Sequence, residues 1–238
     1  MDTDRLYIVI PAYNEEENIR QIVDDWYPIV EKHNGGGESR LVIIDDGSKD
    51  RTYAILTECA GERPLLQPLT KPNAGHGATV LYGYHFALDH GADYVFQTDS
   101  DGQTDVSEFE GFWAVRDKYD AVVGERLQRG DGAARKFVED VVCFLLKVVF
   151  GVSAKDANAP FRLMNAEVLK KYIDRLPKDF NIPNIMLTTY FLYYKEKICF
   201  KQISFKPRHA GKASINAVKI MRIGAKAIKD FYVLKKDM

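Results

Sequence analysis

The chain is short of cysteine, of long apolar runs and of net charge, and each shortage excludes something. Its three cysteines, Cys59, Cys143 and Cys199, are odd in number and far apart. They match neither a metal-binding spacing nor a disulfide framework, which fits a reducing compartment. No stretch approaches the roughly 20 apolar residues that a membrane-crossing helix needs. The first residues run into a strand-like segment without the apolar region of a secretory signal. A cytoplasmic protein is the expectation. The net charge of −1 over 238 residues carries no nucleic-acid signal. The Gly-Lys-Ser/Thr ending of a P-loop is missing, and so is the Rossmann glycine fingerprint. There is no internal repeat and no low-complexity segment.

What is present reads as an ordinary globular chain, 46% hydrophobic and 28% charged. It is long enough for one sizeable α/β domain or one domain with an appendage. The charge is unevenly placed: residues 205–238 hold nine Lys/Arg against two Asp. Such a tail suits an anionic partner.

The most informative stretch is 93–105. Tyr94, Val95 and Phe96 predict a buried strand. It empties into Asp99, Ser100, Asp101, Gly102 and Gln103. Two carboxylates and an amide at alternate positions, with a glycine to turn the chain, suit a hard divalent cation, Mg²⁺ or Mn²⁺. Turn or capping residues are the plain alternative. Residues 6–10 and 41–44 predict two further buried strands around a helix ending near His33. Asn14 with Glu17 reads as a capping box for that helix. Asp45 and Asp46 close the second strand, where α/β sheets bind ligands. For Asp46, a turn before a helix starting near Asp50 is the alternative. A short third strand is expected at 65–67. Lys71, Gly75 and Gly77 precede another helix and suit a diphosphate, or form a plain glycine-rich cap.

Beyond the acidic cluster, 105–119 predicts a helix and 121–124 a strand. Residues 137–152 predict a helix with a dense apolar run. It belongs to the core, to a membrane surface or to a subunit surface. A homodimer is compatible with the last of these. Residues 156–164 read as a loop before a helix at 165–175, with 184–194 helical and 198–205 a strand. A basic loop and a final helix over 215–235 follow. Lys219, Arg222, Lys226 and Lys229 form one stripe of that helix, and Ile220, Ile223, Ala227, Phe231 and Leu234 another. That pattern fits a solvated helix packed on the domain or one docked on anionic lipid.

Five segments in order carry a resemblance: Ile10-Pro11-Ala12-Tyr13-Asn14-Glu15, Ile44-Asp45-Asp46-Gly47-Ser48, Asn73-Ala74-Gly75-His76-Gly77, Asp99-Ser100-Asp101 and Phe161-Arg162-Leu163-Met164. Together they resemble family 2 glycosyltransferases, and most closely the polyprenyl-phosphate branch, in which a Gln follows the Asp-x-Asp as Gln103 does here. The resemblance implies a GT-A-like α/β catalytic domain at 1–205, with a mixed, mostly parallel sheet flanked by helices. The basic loop and amphipathic helix of 206–238 would follow it. It implies inverting transfer from a nucleotide sugar to a lipid phosphate at the cytoplasmic membrane face. Pro11, Tyr13, Glu15 and Asp45 would line the base and ribose, with Asp46 near the ribose or diphosphate. Lys71, Gly77 and Ser100 would be substrate-binding. Asp99, Asp101 and Gln103 would hold the metal. Arg126, Arg162 and Arg208 would meet the acceptor phosphate or leaving group, with Arg162 counted as catalytic beside Asp99 and Asp101. Many family members place an acidic base in the helix before the late strand. Residues 182–187 contain no acid, which favours an acceptor already ionised. A saccharide hydroxyl acceptor, served by Asp179 or Asp156, is the first rival. A catalytically silent nucleotide-binding protein is the second.

Overall fold

The computed structural model describes residues 3–126, 133–206, 229–236 and 238. Seven strands form one sheet: β1 (Leu6–Ala12), β2 (Arg40–Asp45), β3 (Leu66–Thr70), β4 (Tyr94–Gln97), β5 (Ala121–Arg126), β6 (Arg162–Asn165) and β7 (Ile198–Ile203). Their spatial order is β3-β2-β1-β4-β6-β5-β7. β6 lies antiparallel to both neighbours, while the other pairings are parallel. This is the mixed, mostly parallel sheet expected.

The apolar runs of the central strands follow from burial on both faces. Along β1, Leu6, Ile8 and Ile10 point to one side. There they meet Ile19, Val23 and Trp26 of α1 (Ile19–Lys32) and Phe109 of α4 (Phe109–Trp113). Tyr7 and Val9 point to the other. That side is covered by α3 (His76–Asp89), α6 (Ala166–Ile173) and α7 (Pro183–Tyr193), through Val80, Tyr84, Leu169 and Tyr190. α2 (Thr52–Ala60) packs beside α1.

Several expectations need correction. Asn14 does not cap α1. It takes a left-handed conformation (φ 55°), and its side chain accepts from the Lys49 amide at 2.9 Å. α1 starts only at Ile19, with no side-chain cap, so the capping box is absent. Residues 105–119 are not one helix. A 3-10 turn, the short α4 and a second 3-10 turn succeed one another, because Phe109, Phe112 and Trp113 are drawn into the core and fix the path. The stretch expected as a loop before Asn165 contains β6, whose hydrogen bonds to β4 and β5 bring its residues into the sheet. The third strand runs longer than expected, to Thr70. Asn165 does cap α6, accepting from the Glu167 amide at 3.0 Å.

α5 (Ala133–Phe150) is two-sided. Leu146, Val149 and Phe150 are buried, whereas Phe144 is 64% and Val148 61% exposed. At 229–236 the chain is helical again. Phe231 and Leu234 sink into the core, with the Phe231 ring 5.8 Å from that of Phe150. Lys219, Arg222 and Lys226 of the expected basic stripe, and Ile220, Ile223 and Ala227 of the apolar one, lie outside the described residues.

Gly83 sets the approach of α3 to the sheet. A Cβ there would stand 2.4 Å from Val9 Cγ1 and 2.9 Å from Ile44 Cδ1. Ala favours a helix over Gly by about 1 kcal/mol, but overpacking a tight core costs about 1–3 kcal/mol. Val9 is fully buried and stiff at its β-branch, so the second effect wins. Gly83→Ala should lower stability to denaturant, and Val9→Ala in the same chain should restore part of the loss.

Candidate active site

The acidic strand ends meet on one edge of the sheet. β1 pairs directly with both β2 and β4, so the segments after Ala12, Asp45 and Gln97 emerge side by side. Pro11 is buried in β1 opposite Ile44, while Tyr13 just beyond is 37% exposed. Glu15 is buried. Its carboxylate accepts from Asn18 Nδ2 at 2.7 Å, and its amide donates to Thr52 Oγ1 at 2.8 Å. Asp45, the last residue of β2, accepts from the Ser48 amide at 3.1 Å and the Thr70 hydroxyl at 2.8 Å.

Asp46 organises the neighbouring loop. Its carboxylate accepts from Lys71 Nζ and from the amides of Ala74 and Gly75, each at 2.9 Å. The turn before helix α2 is instead made by Asp50, which accepts from the Thr52 amide at 3.0 Å. Burial alone would push the Asp46 carboxyl up. The Lys71 ammonium, the Ala74 amide and the Thr79 hydroxyl outweigh it and hold the group below the ordinary carboxylate range. Gly47 makes this possible, since at φ +66° it bends the chain where a Cβ would strike the Asn73 amide nitrogen at 2.8 Å. Gly77 serves packing: a Cβ there would lie 2.4 Å from backbone atoms of Phe180 and Asn181. That contact brings the loop before α7 against the start of α3.

Asp99 and Asp101 leave β4 on a tight loop, with Gly102 at φ +70°. Asp99 is partly exposed and accepts from Gln97 Nε2 at 3.1 Å. His76 Nε2, which sequence reasoning passed over, stands 3.7 Å from the same carboxylate. Asp101 accepts from the Gln103 amide at 3.2 Å, and Ser100 is buried between them. Gln103 is also buried. Its Nε2 donates to Lys206 O at 2.9 Å, and its own carbonyl accepts from the Lys206 amide at 2.7 Å. Lys206 Nζ reaches Asp105 at 2.8 Å. The Lys206 ammonium and the Ser107 donors hold the Asp105 carboxyl down to about 2. The chain just after β7 is thereby fastened to the acidic loop.

The arginines are placed otherwise than expected. Arg162 is completely buried. Its guanidinium donates to the carbonyls of Ala157 (3.1 Å), Ala159 (2.8 and 3.1 Å) and Asn184 (3.0 Å), and to Thr188 Oγ1 (3.3 Å). It braces three chain segments and has no face toward an acceptor. Arg126 is locked to Asp156 by two bonds, at 2.6 and 2.8 Å, with the Phe205 ring 5.1 Å over its guanidinium. Asp156, one of two candidate bases for a hydroxyl acceptor, is therefore committed to a buried ion pair. Asp179, the other, is exposed and immediately precedes the segment on Gly77. Arg208 lies outside the described residues.

Residues 7–173 match the model of "Glycosyl transferase family 2". The chain belongs to that family. It is on this ground a glycosyltransferase, as the five ordered motifs implied. It is 28% identical to the glycosyltransferase YkoT of Bacillus subtilis (strain 168), over 96% of this chain and 68% of that protein. It is 29% identical to the polyprenol monophosphomannose synthase of Mycolicibacterium smegmatis, over 71% of this chain and 64% of the relative. It is 26% identical to the undecaprenyl-phosphate 4-deoxy-4-formamido-L-arabinose transferase of Pectobacterium atrosepticum, over 71% and 51%. The chain thus spans only about half to two thirds of the length of these relatives. Relatives of the polyprenyl-phosphate branch bear out the closer resemblance. The fold is the GT-A fold of glucosyl-3-phosphoglycerate synthase from Mycobacterium tuberculosis. A complex of that enzyme with Mn²⁺, uridine diphosphate and product superposes with a TM-score of 0.68 at 18% identity, over 95% of this chain and 79% of that one.

The donor set fits a divalent cation of the family. Asp99 and Asp101 offer hard carboxylate oxygens at the end of β4. Among the described residues no three His, Cys, Asp or Glu side chains form a closed cage. A Mg²⁺-like ion commonly uses one or two carboxylates and takes its remaining ligands from water and substrate phosphates.

Two outcomes follow. Arg162→Met should destabilise the fold by about 3 kcal/mol or more, because it leaves buried carbonyls unpaired at about 1–3 kcal/mol each. Thermal or denaturant unfolding reads this directly. The depressed Asp46 pKa contributes stability above the ordinary carboxylate range, and that contribution is lost as the pH falls through the folded value. Asp46→Asn should therefore lower stability at neutral pH and flatten the acid limb of the stability–pH curve.

Proposed function

We propose that the protein transfers a sugar from a nucleotide sugar to a polyprenyl phosphate, with inversion and with Mn²⁺ or Mg²⁺. The observation that carries this reading is the pairing of an acid-lined sheet edge with the lack of a base in the adjoining helix. At the start of α7 stands the amide of Asn184, 3% exposed, and Asp156 is spent on Arg126. A hydroxyl acceptor needs its proton removed, whereas a phosphate monoester is already ionised. Relatives named for polyprenol and undecaprenyl-phosphate substrates support the same acceptor class.

In this reading Pro11, Tyr13, Glu15 and Asp45 receive the base and ribose. The loop held by Asp46, with Lys71 at its edge, borders the diphosphate. Asp99 and Asp101, with Gln103, hold the cation. That ion would offset the charge that builds on the leaving diphosphate as the anomeric C–O bond breaks. The acceptor oxygen attacks the opposite face of the anomeric carbon and inverts it. Arg208, two positions beyond the anchored Lys206, is assigned to the acceptor phosphate.

No helix among the described residues is long and apolar enough to cross a membrane. We place the protein peripherally on the cytoplasmic membrane face, with α5 toward the bilayer. Its exposed Val141, Phe144 and Val148 recur at spacings of three and four, with Lys147 beside them. Apolar side chains flanked by a cation suit an anionic lipid surface.

The test is nucleoside diphosphate release with manganese across a panel of nucleotide sugars, with and without undecaprenyl phosphate. Stimulation by the lipid, with sugar entering the lipid fraction, is expected. Stimulation by a saccharide alone would transfer the role of base to Asp179. Nucleotide binding without turnover would favour a silent binding protein. Asp101→Ala should reduce turnover about 100-fold or more with the fold intact, in line with losing an electrostatic group of the transition state. Phe144→Glu with Val148→Glu should weaken sedimentation with anionic vesicles at least about tenfold. Unchanged sedimentation would remove α5 from the membrane.

A further inference from the structure

Beneath Asp99 lies a chain of buried polar side chains that the transfer reaction does not by itself require. Tyr84 Oη donates to Asn184 Oδ1 at 2.8 Å, Asn184 Nδ2 donates to Gln97 Oε1 at 2.8 Å, and Gln97 Nε2 donates to Asp99 Oδ1 at 3.1 Å. Tyr84 and Gln97 are fully buried, and Asn184 nearly so. The three come from α3, β4 and α7, up to 100 residues apart in the chain.

The direction of this chain is dictated by its end. An ionised carboxylate only accepts, so Gln97 must turn its NH₂ to Asp99 and its oxygen to Asn184. Asn184 must then turn its NH₂ to Gln97 and its oxygen to Tyr84, which has to donate. Burial pushes the Tyr84 phenol far up, so its proton stays in place. Each amide has one satisfied orientation, and reversing either would face two acceptors or two donors in the interior. The far end is equally constrained. Pro183 opens α7, and Arg162 Nη1 holds the Asn184 carbonyl at 3.0 Å. Arg162 is also the cross-strand partner of Gln97 in the β4–β6 ladder.

We infer that Gln97 and Asn184 are positioning residues for the Asp99 carboxylate, setting its rotation for the divalent cation. The inference rests on the reading of Asp99 as a cation ligand. Without the Gln97 donor, the Asp99 carboxylate would keep only the partly exposed His76 ring, 3.7 Å from the same oxygen, to limit its last torsion. A donor fixed from below engages one oxygen and leaves the group preorganised, so less ordering remains when the cation and diphosphate arrive. Groups that hold ligands in this way are commonly worth 10–100-fold in metal affinity.

The experiment is manganese titration of the full chain by loss of the free Mn²⁺ resonance, alone and with uridine or guanosine diphosphate. Gln97→Met keeps size and burial but removes the donor, and should weaken manganese binding about tenfold. Asn184→Leu should weaken it less. The double variant should bind no worse than Gln97→Met, because Asn184 acts only through Gln97. Tyr84→Phe deletes a single hydroxyl and keeps the ring packing. It should give a smaller loss in the same direction, which keeps the test open if the larger changes impair folding. Variants that melt earlier but bind manganese as wild type does would overturn the inference, as would strictly additive losses. Wild-type protein that binds no manganese, with or without nucleotide, would instead overturn the metal reading on which the inference stands.

Discussion

A buried guanidinium, with no carboxylate among the described residues within ion-pair distance, holds the working edge of this protein together. Arg162 has lost its water, and transferring a charge into an apolar interior is costly unless its donors are satisfied. Here carbonyls of Ala157, Ala159 and Asn184 and the Thr188 hydroxyl satisfy them. The arrangement works only if β6, the segment before it and the first turn of α7 are all in place together. That is why the single antiparallel strand is inserted between β4 and β5. It delivers Arg162 opposite Gln97, directly below the acidic loop.

Two buried carboxylates divide the remaining work. Asp46 gathers the loop of Lys71 to Gly75 onto the end of β2. Asp156 ties Arg126, at the end of β5, to the segment entering β6. Each couples a strand end to a loop far along the chain, so the edge is a set of crosslinked loops on a rigid sheet. The Gln103–Lys206 backbone pairing extends this to the end of the described sheet. Lys206, just past β7, is thereby held against the acidic loop by the backbone and the side chain of Gln103.

The central strands β1, β2 and β4 were readable because their apolar runs are buried on both faces, and the run in β1 carries the packing of two opposed helix layers. The acidic strand ends were readable because two polar clusters follow directly upon apolar runs. The arginines were not. Sequence shows an Arg beside a Phe, but whether it faces an anion or a carbonyl depends on chain segments that only folding brings near. The same holds for the stretch 105–119, where apolar content suggested one helix and the aromatic cluster around Phe109 and Trp113 imposed three short pieces. Gln97 and Asn184 gave a faint signal: one polar residue at the close of a buried strand, another within an apolar helix.

The sequence by itself determined the family, the α/β architecture and the carboxylates at two strand ends, because periodicity and local motif order are written in consecutive residues. Tertiary structure alone decided which polar groups are used up in bracing and which remain for substrate. Asp156, Arg126 and Arg162 are consumed internally, while Asp99 is partly exposed at the sheet edge, supported from beneath by Gln97. The physical reason is that a buried polar group must find its partner in three dimensions, and those partners lie up to 100 residues away.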